Sequence, residues 1–326
     1  MGLHKIIGVV EADELPWMRL RGEDDIHLEI ERHKALLSAN KDALNWTDAD
    51  WFHYVHAQPA EEKALPAGGF SANTLDKGHQ GMRLADFTRH PNAVAAGLKR
   101  AHVLALRLYS GGVYRTINAA LRNGCSLDRP HPYPACVALL AEAIEKLSGR
   151  GQSHFRVSGE TSHTLWHGVA GMQLSYEFLV RGGTSMGLLS ASPSRQVAER
   201  YAMESNVSSS SSSSSSGGAS SSSSSSASTI NTSTATTTAP PPPPPLLLKL
   251  RLPSLPKHGG AEISFLSCFP DEGEVVYGPA TYLRPMGTPS LLIAARPTPM
   301  PGGRVSLSVR CFRVLEVVPV PRVDKD

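Results

Sequence analysis

Between residues 208 and 245 the chain stops looking like material for a globular core. Ser208 to Ser216 is unbroken serine, Ser220 to Ser226 is a second run, a Thr/Ala stretch follows, and Pro240 to Pro245 is continuous proline. Such a segment buries too little apolar surface to offset the entropy of ordering it. The serines are expected to be flexible and the prolines to form a stiff polyproline II spacer. Any fold must therefore be assembled from the sequence on either side. The segment could pass for a linker between domains. Strand-like sequence resumes at once in Leu246-Leu247-Leu248-Lys249-Leu250-Arg251-Leu252, so we read residues 207–245 as a disordered insert within one domain. Closing even a long surface loop adds only slowly to its cost.

The two flanks differ in pattern. Before the insert, apolar residues recur at helical spacing. Residues 98–109 carry Val103, Leu106 and Tyr109 on one face, a second helix after Gly111-Gly112 carries Tyr114, Ile117, Asn118 and Leu121, and residues 135–147 form a third. Pro91 is placed to open a helix at its first position, and Leu84 to Phe87 read as one turn. From residue 153 the signals change to strands: 153–157, 186–191, 246–252, the start at Glu274 to Tyr277, Tyr282-Leu283 and 305–318, while 261–268 alternates apolar and polar residues. Ser192-Pro193 reads as a cap opening a helix over 195–203. Helices first and strands later give an α+β domain. Residues 1–79 are read as a helical N-terminal extension and 80–326 as the main domain. In the extension, His27, Leu28, Ile30, His33, Leu36 and Leu37 suggest an amphipathic helix, and Trp46, Trp51, Phe52, Tyr54 and Val55 an aromatic cluster. The cluster is expected to pack on the main domain; the alternative is a recognition or regulatory arm.

Composition excludes several classes. Of 326 residues 40% are hydrophobic, enough for a sizeable core, and the net charge of +3 is far from the dense basic patches of nucleic-acid binders. Cys125, Cys136, Cys268 and Cys311 form no CxxC pair, so neither a zinc ribbon nor a redox dithiol is expected; reduced, mostly buried thiols and a cytoplasmic location are. The apolar run Ile6 to Val10 is too short for a signal peptide, and nothing approaches the roughly 18 apolar residues of a membrane span. His154, His163 and His167 lack the companions of a metal site, so no metal is expected. GxGxxG, GxxxxGK[ST] and kinase signatures are absent.

Three groups of residues carry possible chemistry. Glu272-Gly273-Glu274 would, on an extended chain, present two carboxylates on one side roughly 6 to 7 Å apart. Such a pair suits glycosidic cleavage through an oxocarbenium-like state. Ser190 and Ser192 repeat that spacing with hydroxyls. Arg156, at the end of an expected strand, offers a planar fork to a pyrophosphate. Each alone is common: a solvated turn, a helix cap, a surface arginine.

Together they resemble the Arg-Ser-Glu class of mono-ADP-ribosyltransferases, which includes ADP-ribosylating toxins and cellular arginine-specific transferases. Four blocks are similar and in order: Leu108-Tyr109-Ser110 with Tyr114-Arg115-Thr116-Ile117-Asn118 and Leu121-Arg122; Phe155-Arg156-Val157-Ser158-Gly159; Gly182-Gly183 with Leu188-Leu189-Ser190-Ala191-Ser192 and Val197-Ala198-Glu199-Arg200-Tyr201; and Ile263 to Ser267 with Phe269 to Val275 and Pro279 to Leu283. The resemblance implies two packed, mainly antiparallel sheets forming an NAD cleft behind preceding helices. It implies NAD as co-substrate and ADP-ribose transfer to a protein side chain, arginine above others because a Glu stands two residues before the catalytic one. Carried over residue by residue, Glu274 would stabilise the oxocarbenium ion, Glu272 engage the acceptor, Ser190 position Glu274 and Arg156 bind the NAD phosphates. Ser192 would help orient the bound ribose, and Tyr201 and Phe178 contact the nicotinamide. Ala191 stands where the family has Thr, and the insert lies where it has a short connection. An NAD glycohydrolase and a non-catalytic binding module are the competing readings; partners expected are NAD and an acceptor protein, with no nucleic acid and no membrane.

Overall fold

The computed structural model describes residues 3–8, 22–37, 46–56, 75–148, 164–169, 173–208, 243–252, 260–299 and 305–320. The expected strand at 153–157 with Arg156, His154 and His163, and residues 209–242 of the expected insert lie outside them.

The helices come first, as the periodicity requires. They are α1 (Leu3–Ile7), α2 (Glu23–Leu37), α3 (Asp48–His56), α4 (Leu84–Arg89), α5 (Pro91–Ala95), α6 (Arg100–Leu108), α7 (Tyr114–Asn123) and α8 (Pro134–Ser148). Pro91 does open α5. Between α6 and α7 the backbone makes a π-helical turn over Tyr109–Val113, kinked at Gly111. Ile26, Ile30, Trp51, Phe52 and Val55 of α2 and α3 share one core with Val103, Leu104, Leu106 and Leu108 of α6 and with Leu139 and Leu140 of α8.

One charged group is sunk in this layer. The Arg107 guanidinium binds both Asp76 oxygens, at 3.1 and 2.8 Å, and the Leu266 carbonyl at 2.9 Å, with the Phe87 ring stacked 4.1 Å away. Tyr54 donates to the same carboxylate at 2.6 Å. The bidentate geometry and the full set of partners are what make a buried pair tolerable.

The remaining elements are β1 (Thr164–Val169), α9 (Tyr176–Arg181), β2 (Gly183–Ser185), β3 (Leu189–Ala191), α10 (Arg195–Ser208), β4 (Leu246–Arg251), β5 (Ala261–Glu262), β6 (Val275–Tyr277), β7 (Thr281–Pro285), β8 (Ser290–Pro299) and β9 (Val305–Val320). They build an α+β fold with two sheets. The larger runs β1-β4-β9-β7-β2, with β8 also paired to the long β9; the smaller runs β3-β6-β5. Pairings are antiparallel except β4 with β9, which is parallel. The sheets meet in a second core made by Leu165, Leu189, Ala191, Leu248, Leu250, Val275, Leu315 and Val317.

Some local expectations are corrected. The alternation over 261–268 yields a strand of two residues, because the Glu262 carboxylate accepts from the Ser264 amide at 2.8 Å and turns the chain. The helix starts at Arg195 as expected, but Pro193 stands before it; the Ser192 hydroxyl accepts from the Ser194 amide at 3.0 Å and donates to the Glu272 carbonyl. Of the cysteines, Cys136 and Cys268 are buried, but Cys125 is half-buried and Cys311 exposed. No helix among the described residues is long and apolar enough to cross a membrane.

Candidate active site

The two sheets enclose a cavity of about 490 Å³, within the usual range of small-molecule sites. Its wall includes Phe178, Ser190, Ser192, Tyr201, Glu272 and Glu274. Every site residue expected from the sequence and described by the structure is therefore in one place; Arg156 is not among the described residues.

Glu274 sits just before β6, whose Val276 pairs with Ser190 on β3. That register brings the Ser190 hydroxyl to 2.7 Å from Glu274 Oε1, while Ser267 approaches Oε2 at 3.5 Å. Glu274 is 8% exposed. Burial pushes its carboxyl up to about 7, the neighbouring Glu272 adds to the rise, and the bonds from Ser190 and Ser267 oppose it. Among the described residues no cation is paired with Glu274.

The expected extended pair is corrected. Pro270–Glu272 is a 3₁₀ turn capped by Gly273 in the left-handed region, at φ 59° and ψ 43°, a conformation glycine adopts freely. The two carboxylates therefore diverge. Glu274 turns in to Ser190, whereas Glu272 is ion-paired with Arg200 and accepts from the Tyr201 hydroxyl at 3.0 Å. Ser192 donates to the Glu272 carbonyl at 2.5 Å, so Ser190 on β3 and Ser192 just beyond it hold the two glutamates by different handles, one by side chain and one by backbone.

The helical layer fixes the height of this loop and strand. Ser110 holds the Cys268 amide at 2.9 Å, Arg107 the Leu266 carbonyl, and Asn118 the Leu188 amide at 2.9 Å. Asn118 also donates to Tyr109 at 3.3 Å. The early helical residues of the resemblance thus reach the site through backbone contacts.

Two participants escaped sequence reasoning. His167 on β1 lines the cavity, and its Nδ1 lies 2.6 Å from the Ser190 carbonyl. A carbonyl only accepts, so Nδ1 carries the proton; burial lowers the ring to about 4, keeping it neutral. Its neighbour Trp166 exchanges backbone hydrogen bonds with Ser192, at 2.7 and 2.9 Å, which ties the two sheets together beneath the cavity. β1 lies close to α10 because residue 168 is glycine; a Cβ there would come within 2.0 Å of the Ala198 carbonyl. The other participant is Arg200. Helical periodicity gave no hint of either contact, since both depend on how distant elements cross. Among the described residues no group of three metal-ligating side chains is assembled.

The model of the family described as NAD:arginine ADP-ribosyltransferase matches residues 72–226. The match falls on nearly half of the chain and includes the stretch bearing Ser190, Ser192 and Tyr201, in line with the resemblance the motifs carry. The match supports mono-ADP-ribosyltransferase activity with NAD as substrate. No curated protein sequence matches. Similar solved structures include the ADP-ribosyltransferase HopU1 of Pseudomonas syringae pv. Tomato DC3000, 14% identical, covering 91% of this chain and 97% of that one with a TM-score of 0.41. Others are the ADP-ribosyltransferase toxin Plx2a from Paenibacillus larvae, at 14%, 72%, 94% and 0.36, and the type III effector XopAI from Xanthomonas axonopodis pv. citri, at 12%, 90%, 96% and 0.36. These likenesses are distant.

Proposed function

We propose that the protein cleaves NAD at the nicotinamide–ribose bond and transfers ADP-ribose to an arginine side chain of an acceptor protein. The observation that carries this reading is Glu274: a buried carboxylate in a cavity wall, aimed by the Ser190 hydroxyl at 2.7 Å and left with hydroxyl partners. As the bond to nicotinamide breaks, positive charge develops on the ribose. An anion already desolvated and oriented meets that charge without reorganisation. Tyr109, Tyr114, Trp166, Phe178 and Tyr201 supply flat surfaces in the same wall, and Asn118, Ser192 and neutral His167 supply polar contacts; this mixture suits a dinucleotide. Arg156 would take the phosphates. Nicotinamide leaves with the bonding electron pair, an acceptor guanidine nitrogen bonds to the ribose carbon, and Glu272 takes the proton it sheds.

One observation favours a second reading, NAD hydrolysis by water. Glu272, the carboxylate assigned to the acceptor, is already engaged by Arg200 and Tyr201. Measuring nicotinamide release beside labelling of an arginine acceptor separates the two. In Glu272→Gln, transfer should fall at least about a hundredfold, while release of nicotinamide to water largely persists. Equal loss of both would place Glu272 in NAD cleavage itself. Brisk release with no labelling by the unaltered protein would favour hydrolysis.

A further inference from the structure

Arg200 projects from α10 beside Tyr201, with its guanidinium over the Tyr201 ring at 5.4 Å. The two residues meet Glu272 differently. Tyr201 and Glu272 both belong to the cavity wall, and Arg200 does not. Tyr201 therefore meets the carboxylate from within the wall, and Arg200 from outside the lining residues. Between them they engage both oxygens: Arg200 donates to Oε1, and Tyr201 lies 3.0 Å from Oε2. The Arg200 side chain keeps 29% of its surface exposed, so this pair is more open to solvent than Glu274, which is 8% exposed.

An arginine acceptor would bring the same chemical group to the same carboxylate. A guanidinium suits a carboxylate through its planar fork, and Glu272 cannot satisfy two of them fully while Tyr201 also donates to it. We propose that Arg200 is an internal occupant of the acceptor position, which an incoming arginine must displace to reach Glu272. This rests on the reading of Glu272 as the acceptor-side carboxylate. Arg200 then sets acceptor selectivity. A protein whose arginine is anchored by further contacts can displace it, whereas a small free guanidine competes poorly. Because the displaced pair is partly exposed, the handicap is modest: a pair of this kind shifts an equilibrium by up to about fivefold.

The test is steady-state kinetics of Arg200→Ala and Arg200→Lys with agmatine as acceptor, following nicotinamide release and agmatine labelling together. The expected result is a KM for agmatine about fivefold lower in Arg200→Ala, with the KM for NAD moving by less than that. Arg200→Lys, which keeps the charge and loses the fork, should fall between the two. A KM for agmatine that is unchanged or higher in Arg200→Ala, and restored by Arg200→Lys, would overturn the proposal and make Arg200 a support for Glu272. Labelling by Arg200→Ala where the unaltered protein gives none would support it most strongly. Nicotinamide release by both proteins with no labelling by either would overturn it and leave NAD cleavage standing. No release by either would remove it together with the reading it rests on. If Arg200→Ala fails to fold, Arg200→Gln serves with the same outcomes.

Discussion

Asp76 and Glu274 are both carboxylates buried in the same protein, 6% and 8% exposed, and they are treated in opposite ways. Asp76, in the helical layer, receives a bidentate guanidinium from Arg107 and a hydroxyl from Tyr54. Glu274, between the sheets, receives the hydroxyls of Ser190 and Ser267. A cation beside Asp76 cancels its charge and fixes a loop. Hydroxyls beside Glu274 orient the carboxylate and leave its charge available. The contrast teaches how a structural anion differs from one kept in reserve: not in depth of burial, but in whether the counter-charge is already present.

The first way to break this comparison is to remove the counter-charge. Arg107→Met strands Asp76 in a water-poor layer, and loss of one partner of a buried pair costs about 3 to 5 kcal/mol. Urea denaturation should show that loss; a change under about 1 kcal/mol would mean the pair is not structural. Glu274→Gln strands nothing of the kind. Its effect should fall on chemistry, with nicotinamide release slowed on the order of 10² to 10³ and the denaturation midpoint not lowered. Near-normal release in Glu274→Gln would end the catalytic assignment.

A smaller effect follows from proton uptake. Glu274 must be ionised to face a cationic ribose, so nicotinamide release should rise with pH and level off above about 7, where its carboxyl titrates. The Ser190 bond favours the ionised form, so Ser190→Ala should move that midpoint upward; a downward move would contradict the geometry. Stability runs the other way. Glu274 and Glu29 hold protons to about 7 and about 8 in the folded protein, against an ordinary 4.5; burial is the main cause in both. The folded state binds the extra protons, so this contribution is complete below about 4.5 and is lost as pH rises through those values. Thermal midpoints should therefore fall between about pH 5 and about pH 8 on account of these groups. Glu29→Gln and Glu274→Gln should each flatten that slope. An unaltered slope in both would remove the assignment.

Much of this was legible beforehand, for a physical reason. Helical and strand periods leave a local imprint, so α6, α7, α8, β4 and β9 could be read directly. Pairing of Glu274 with Ser190 was legible because two short motifs carried it. The divergence of Glu272 from Glu274 was not. Both lie two residues apart, and the extended geometry assumed for them fails because Pro270 starts a 3₁₀ turn that Gly273 ends. The contacts of Arg200 and His167 were beyond reach for another reason. Arg200 depends on where α10 packs beside the turn bearing Glu272, and His167 on where β1 meets β3, and no spacing along the chain records either meeting.

The reciprocal backbone bonds of Trp166 and Ser192 have a mechanical consequence. They join the larger sheet to the smaller at the floor of the cavity, and the Ser192 hydroxyl is also what grips the Glu272 carbonyl. A molecule that wedges the sheets apart must pull on Ser192, and through it on the loop bearing Glu272. Ser192 is thus a common anchor for both sheets and for the turn bearing the second carboxylate.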